Sequence, residues 1–121
     1  MKNTILVVDD NKPFRQLLIE KIQTETDFSV IGEAGDGFSA LLQARELKPA
    51  LVLLDIRMPD LNGLEIARLL KAEHPNVKII FVTMYNMEEY REATKTIGAN
   101  GYVLKSSLEH ELLPAIKESL S

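Results

Sequence analysis

Five residues in this chain have types and positions that could do chemistry together: Asp9, Asp10, Asp55, Thr83 and Lys105. Each closes a short apolar run. Asp9 and Asp10 follow Thr4-Ile5-Leu6-Val7-Val8, and Asp55 follows Ala50-Leu51-Val52-Leu53-Leu54. Thr83 follows Val77-Lys78-Ile79-Ile80-Phe81-Val82, and Lys105 follows Gly101-Tyr102-Val103-Leu104. Two carboxylates ~5 Å apart repel by about 3 kcal/mol at an effective dielectric of ~20, so three in one place need a counter-charge. Lys105 supplies a single positive charge, which is too little. Oxygen ligands with open positions for water and phosphate oxygens describe Mg²⁺, with Mn²⁺ as a substitute, better than an all-protein Ca²⁺ cage. Each residue alone has a plainer reading: Asp10 as a helix cap, Asp9 as a turn residue, Asp55 opening the turn before Met58-Pro59-Asp60, Thr83 as the next cap, Lys105 as a solvated strand end. Their shared placement argues against five separate accidents.

The elements that must position them follow from the hydrophobic pattern. A fifth apolar run, Phe28-Ser29-Val30-Ile31-Gly32, alternates with polar residues and carries an internal glycine, so it reads as an edge strand. The first, third and fourth runs are nearly continuous Val, Ile and Leu, as in parallel strands covered on both faces. Between them lie helices. The first begins at Asn11 or Lys12, with Pro13 in its first turn and Phe14, Leu17, Leu18 and Ile22 forming one stripe. The second spans Gly37 to Leu47, the third Leu64 to Glu73, and the fourth Glu88 to Ile97 with Gly98 as a left-handed cap. The last runs from Ser107 to Leu120, with Leu112, Leu113, Ile116 and Leu120 inward. Pro114 there predicts a kink or a start one turn later. The fourth helix has the thinnest apolar stripe, Tyr90, Ala93 and Ile97, and is expected to dock least firmly. The alternation predicts an α/β, doubly wound, flavodoxin-like fold: a five-stranded parallel sheet in order 2-1-3-4-5 flanked by five helices. Such sheets bind ligands at the carboxyl ends of their strands, where the five residues fall.

Composition excludes several classes. The chain has 121 residues, 45% apolar and 26% charged, enough for one folded domain with a core. A net charge of −4 argues against a surface built to neutralise nucleic acid, and no direct nucleic-acid binding is expected. No cysteine is present, which removes disulfides and thiol catalysis. No apolar run reaches a membrane span, and Met1-Lys2-Asn3-Thr4 leads straight into the first strand, so a cytoplasmic protein without membrane contact is expected. His74 and His110 lack ligand-spaced partners and read as surface residues, as do Lys48, Lys71, Lys78, Lys95 and Lys117. There is no P-loop, dinucleotide fingerprint or nucleophile elbow.

At Val7-Val8-Asp9-Asp10, Leu54-Asp55-Ile56-Arg57-Met58-Pro59, Asn62-Gly63, Thr83 and Gly101-Tyr102-Val103-Leu104-Lys105, the chain resembles the receiver domain of two-component response regulators. The likeness is to chemotaxis-regulator-type receivers in general. It extends over essentially the whole chain, so 1–121 is expected to be one receiver, or phosphoacceptor, domain. It implies that Asp55 takes a phosphoryl group from a sensor histidine kinase, a phosphotransfer protein or a small acyl phosphate. Mg²⁺ would be held by Asp10, Asp55 and the backbone carbonyl of Arg57, with Asp9 acting partly through water. Lys105 and Thr83 would bind the other phosphoryl oxygens. Thr83 and Tyr102 would form a switch that reshapes the surface of the fourth helix, fifth strand and fifth helix, controlling an output such as transcription. Gly63 would serve a backbone angle that other residues avoid. The chain would be no enzyme in its own right, but would assist its own phosphorylation and dephosphorylation, and a homodimer formed on phosphorylation is implied.

Two departures carry consequences. Ser106 follows Lys105 where most family members have proline, which makes a cis bond there unexpected. Lys105-Ser106 and Thr83-Met84 are similar to the subfamily whose receivers precede a helix-turn-helix DNA-binding domain. Met84 is also bulkier than the usual residue and would narrow access to Asp55. Arg57 and Tyr85 occupy the family's hydrolysis-tuning positions and offer no carboxylate or amide to water, so a long-lived phosphoaspartate is expected. Two other functions compete. A Mg²⁺-dependent phosphatase with an aspartate nucleophile would carry D-x-D-x-[TV] on its first strand, where this chain reads Asp9-Asp10-Asn11-Lys12-Pro13. A flavodoxin-type cofactor binder would not place two acids where a phosphate must sit.

Overall fold

A computed structural model describes residues 3–121. Met1 and Lys2, read above as running directly into the first strand, lie outside the described residues. In chain order the elements are β1 (Thr4–Val8), α1 (Lys12–Glu25), β2 (Ser29–Ala34), α2 (Gly37–Leu47), β3 (Leu51–Leu54), α3 (Gly63–Glu73), β4 (Lys78–Thr83), α4 (Glu88–Ile97), β5 (Gly101–Leu104), a 3₁₀ turn (Lys105–Ser107) and α5 (Leu108–Leu120). The sheet is parallel with order β2-β1-β3-β4-β5, as the alternation predicts. β2 is an edge strand, and its register against β1 slips between Ile5 and Leu6, where Gly32 enters the pairing.

Strands covered on both faces need apolar residues at every position, and β1 and β3 are buried throughout. Two cores result, one on each face of the sheet. Leu6, Val8, Val52, Leu54, Ile79 and Phe81 point to the α2–α3 side. Ile5, Val7, Leu51, Leu53, Ile80 and Val82 point to the α1–α5 side. This period of two puts consecutive strand residues into opposite cores and leaves the strand ends to carry polar groups.

Most helix limits agree with their local signals. α2 ends where Lys48 takes a left-handed conformation, and α4 ends at Gly98 with φ 94°. The α1 cap is Asn11, whose side chain accepts a hydrogen bond from the Phe14 amide, so Asp10 is free of capping. Leu17, expected in the inward stripe of α1, is instead 52% exposed. Lys21 is buried in its place, its ammonium 3.3 Å from both Glu25 and Glu109 of α5. Its aliphatic stem lies on apolar surface while its head finds two carboxylates. α5 starts at Leu108, not a turn later, and continues through Pro114. His74 is half-buried rather than a free surface residue, and Lys71 donates to the Val77 carbonyl at 2.6 Å. No helix among the described residues is long and apolar enough to cross a membrane.

Candidate functional site

The carboxyl ends of β1, β3 and β5 bring four of the five chemical residues together. Lys105, one residue past β5, forms an ion pair with Asp9 Oδ2 at 2.9 Å and donates to Asp55 Oδ2 at 3.1 Å. Asp9 Oδ1 accepts from the Asn11 amide at 2.8 Å, and Asp55 Oδ1 accepts from the Ile56 amide at 2.7 Å. Asp9 and Asp55 are buried, whereas Asp10 is exposed. One oxygen from each of Asp9, Asp10 and Asp55 lies within 4.8 Å of the others.

This placement is built from the backbone outward. The Asp9 amide continues the β1–β2 ladder to the Ala34 carbonyl, and the Asp55 amide continues β3 to the Val8 carbonyl. Gly63 lies under Asp55: a Cβ there would sit 2.0 Å from the Asp55 carbonyl oxygen. The requirement for glycine is therefore close approach of α3 to the end of β3, not a left-handed backbone angle, since Gly98 is the one glycine with positive φ among the described residues. The turn after Asp55 is tied down by Asp60, which accepts from the amides of Gly37 and Phe38 at the start of α2. No cis peptide bond occurs among the described residues, in keeping with Ser106 after Lys105.

The electrostatics follow from burial and pairing. Burial pushes the Asp55 carboxyl above the usual carboxylate range; the Lys105 charge opposes this and the Asp9 charge adds to it. Burial alone would lower Lys105, but its hydrogen bond to Asp9 and the charge of Asp55 outweigh that and hold it above the ordinary lysine value. Two acids thus share one cation. The surplus is negative and borders an open cleft of about 420 Å³ lined by Asp10, Asn11, Asp55, Arg57, Met84, Tyr85 and Lys105.

Of the remaining predicted residues, Arg57, Met84 and Tyr85 line the cleft, whereas Thr83 and Tyr102 lie behind it. Thr83 is fully buried, and its hydroxyl accepts from the Tyr85 amide at 3.3 Å; it makes no hydrogen bond to the acid cluster. Met84 is 67% exposed at the cleft mouth. The Arg57 guanidinium stacks over the Tyr85 ring at 4.5 Å and reaches the Tyr90 hydroxyl at 3.4 Å. The Tyr102 hydroxyl donates to the Tyr85 carbonyl, and Arg91 covers the Tyr102 ring at 4.4 Å. Sequence reading missed three supports. Arg15 donates to the Asp9 carbonyl at 2.7 Å while pairing with Glu33 at 2.8 Å, Tyr90 carries Arg57, and Phe14 lies beneath Lys105. The signal for Arg15 and Phe14 was their position one turn after the acid pair.

Comparison with known proteins decides the family. A family model described as the response regulator receiver domain matches residues 5–117. The chain belongs to that family. This receiver is 37% identical over 116 residues to the transcriptional regulatory protein YxjL of Bacillus subtilis, covering 96% of this chain and 53% of that protein. It is 36% identical over 113 residues to the response regulator GacA of Pseudomonas protegens, covering 93% of this chain and 53% of that protein. The chain thus spans about half the length of the curated relatives it matches. Among solved structures, a LuxR-family DNA-binding response regulator from Staphylococcus aureus superposes with TM-score 0.93 at 28% identity, over 98% of this receiver and 99% of that chain. The likeness to helix-turn-helix-type regulators drawn from Lys105-Ser106 and Thr83-Met84 agrees with these LuxR-family and transcriptional relatives.

Proposed function

We propose that Asp55 is the phosphoacceptor of this receiver, taking its phosphoryl group from the phosphohistidine of a sensor histidine kinase or phosphotransfer protein. The observation that supports this best is the state of its carboxylate. It is buried on a strand end, bonded by Lys105 on one oxygen and by the Ile56 amide on the other, and bordered by an open cleft. In the transfer an Asp55 oxygen attacks phosphorus, the P–O bond forms, and the P–N bond breaks with its electron pair leaving on the imidazole. Phosphoryl transfer of this kind needs positioning and charge neutralisation more than covalent help. Lys105, already on Asp55 Oδ2, neutralises a phosphoryl oxygen, and the Thr83 hydroxyl donates to another.

The donor set fits Mg²⁺, with Mn²⁺ as a substitute: three carboxylates with oxygens within 4.8 Å, one of them exposed, and two of them sharing the single charge of Lys105. Asp10, Asp55 and the Arg57 carbonyl would hold it, with Asp9 contributing partly through water. When bound, the ion would neutralise charge on the phosphoryl oxygens.

Thr83 and Tyr102 would form the switch. Both are bonded to Tyr85, one to its amide and the other to its carbonyl. A Thr83 hydroxyl drawn toward phosphate releases the Tyr85 amide and shifts the peptide that holds Tyr102. The α4–β5–α5 surface would then change, controlling an output such as transcription, with a homodimer forming on phosphorylation. We read 1–121 as one receiver working in the cytoplasm, assisting its own phosphorylation and dephosphorylation, and contacting no nucleic acid itself. Acetyl phosphate with Mg²⁺ should add one phosphoryl mass to the wild type and none to Asp55→Asn, and a chelator should prevent it. An Asp55→Asn protein that is labelled like wild type would overturn the assignment.

A further inference from the structure

The Lys105 ammonium donates to Asp55 Oδ2 at 3.1 Å and pairs with Asp9 Oδ2 at 2.9 Å. Its remaining side is covered by an aromatic ring. The Lys105 nitrogen lies 4.2 Å from the centroid of Phe14, within the range where the negative ring face attracts a cation. Lysine stems carry considerable rotamer entropy, and two carboxylates alone would leave the ammonium free to follow whichever acid moves. A ring face fixes the cation without using a lone pair and without competing for the carboxylate or phosphoryl oxygens.

Phe14 is well placed to act as such a platform. Pro13 restricts the backbone before it, and its own amide is held by the Asn11 side chain at 3.0 Å. Its ring packs on the α1–α5 core, and α1 begins three residues after Asp9. The element that follows the acid pair therefore carries the support for the cation that neutralises that pair.

We propose that Phe14 is a positioning residue for phosphoryl transfer, its ring face holding the Lys105 ammonium where it can bind the incoming phosphoryl oxygen. The proposal rests on the role given to Lys105 above. Leucine at this position would fill apolar space without a ring face, whereas tyrosine would keep the face. With the full chain, Mg²⁺ and acetyl phosphate, Phe14→Leu should slow phosphorylation about five-fold, the equivalent of one cation–π contact, and Phe14→Tyr should stay near wild type. In a Lys105→Met background, followed over a longer time course, Phe14→Leu should cause no further slowing. Independently of phosphorylation, the ε-methylene protons of Lys105 should show an upfield ring-current shift that Phe14→Leu removes. Equal rates for Phe14→Leu and wild type, equal losses with leucine and tyrosine, or the same loss with Lys105 absent would overturn the proposal. Failure of the function reading looks different: Asp55→Asn would still be labelled, or Lys105→Met alone would leave the rate unchanged.

Discussion

The two flanks of the Asp55 cleft are held by different kinds of force. On the α1 side the chain is pinned by charge and backbone. Asn11 caps the helix, Arg15 ties the Asp9 carbonyl to Glu33, and Lys21 joins α1 to Glu109 of α5. On the α4 side the helix begins at Met87 with no side-chain cap, and Thr94 is its one buried residue, where α1, α2, α3 and α5 each bury three or four. What holds α4 near the cleft is a set of stacks: Arg57 on Tyr85, Tyr85 edge-on to Tyr90 at 6.0 Å, and Arg91 on Tyr102. Such contacts are worth about 0.5–1.5 kcal/mol each and can be exchanged one for another. The difference teaches where a switch can live in so small a domain. One flank fixes the charges, and the other is held loosely enough to be moved by a new hydrogen bond.

The loosely held flank should also control water. Arg57 and Tyr85 line the cleft without offering a group that orients a hydrolytic water, so the phosphoaspartate should be long-lived. Replacing them together, Arg57→Asn with Tyr85→Glu, opens the stack and supplies an amide and a carboxylate. Loss of label after removal of acetyl phosphate should quicken about ten-fold, a barrier change of roughly 1.4 kcal/mol. A double variant that decays at the wild-type rate would show that the stack does not govern hydrolysis.

The firmly held flank carries stored electrostatic cost instead. Because burial raises the Asp55 carboxyl, the native state favours its protonated form more than the unfolded chain does. That favourable term is present at acid pH and is lost as pH rises from the ordinary carboxylate range through the raised native value. Asn cannot ionise, so Asp55→Asn escapes the loss while keeping one amide oxygen that can accept from Ile56. In chelator-treated buffer its Tm should exceed that of wild type by a few degrees at neutral pH, and the gap should close on acidification. A gap that widens toward acid would mean that Lys105 more than compensates for burial.

How much of this was legible beforehand depends on how local each cause is. The sheet order, the limits of α2 and α4, and the five residues at the strand ends follow from patterns within a few residues of one another. Gly98 as a left-handed cap is of that kind. Gly63 is not: its need for a missing side chain comes from the Asp55 carbonyl, which only tertiary packing brings near. The α1 stripe holds at Phe14, Leu18 and Ile22 but misses Leu17 and Lys21, since nothing near Lys21 in sequence announces Glu109 as its partner. Thr83 ends β4 as its pattern predicts, but its bond to the Tyr85 amide depends on the loop path after β4. The stack of Arg57 on Tyr85 joins two separate loops and leaves no spacing signature at all, and the position of Phe14 after the acid pair says nothing of Lys105, 91 residues on.

The smallest effect tests the comparison most directly, because it exchanges the starts of the two helices. Asn11→Ala removes the α1 cap and should cost about 1 kcal/mol of global stability in urea unfolding, since α1 is tied into the core that unfolds with the whole domain. Met87→Asp adds a cap to α4, where none exists, and should stabilise that helix by a few tenths to about 1 kcal/mol. The sites of response should differ. Loss of the α1 cap should lower amide-exchange protection throughout the sheet, whereas the new α4 cap should slow exchange within Glu88–Ile97 and leave the sheet unchanged. Slower exchange across the whole sheet in Met87→Asp would mean that α4 opens only with the rest of the fold, and the α4 flank would then be no looser than α1.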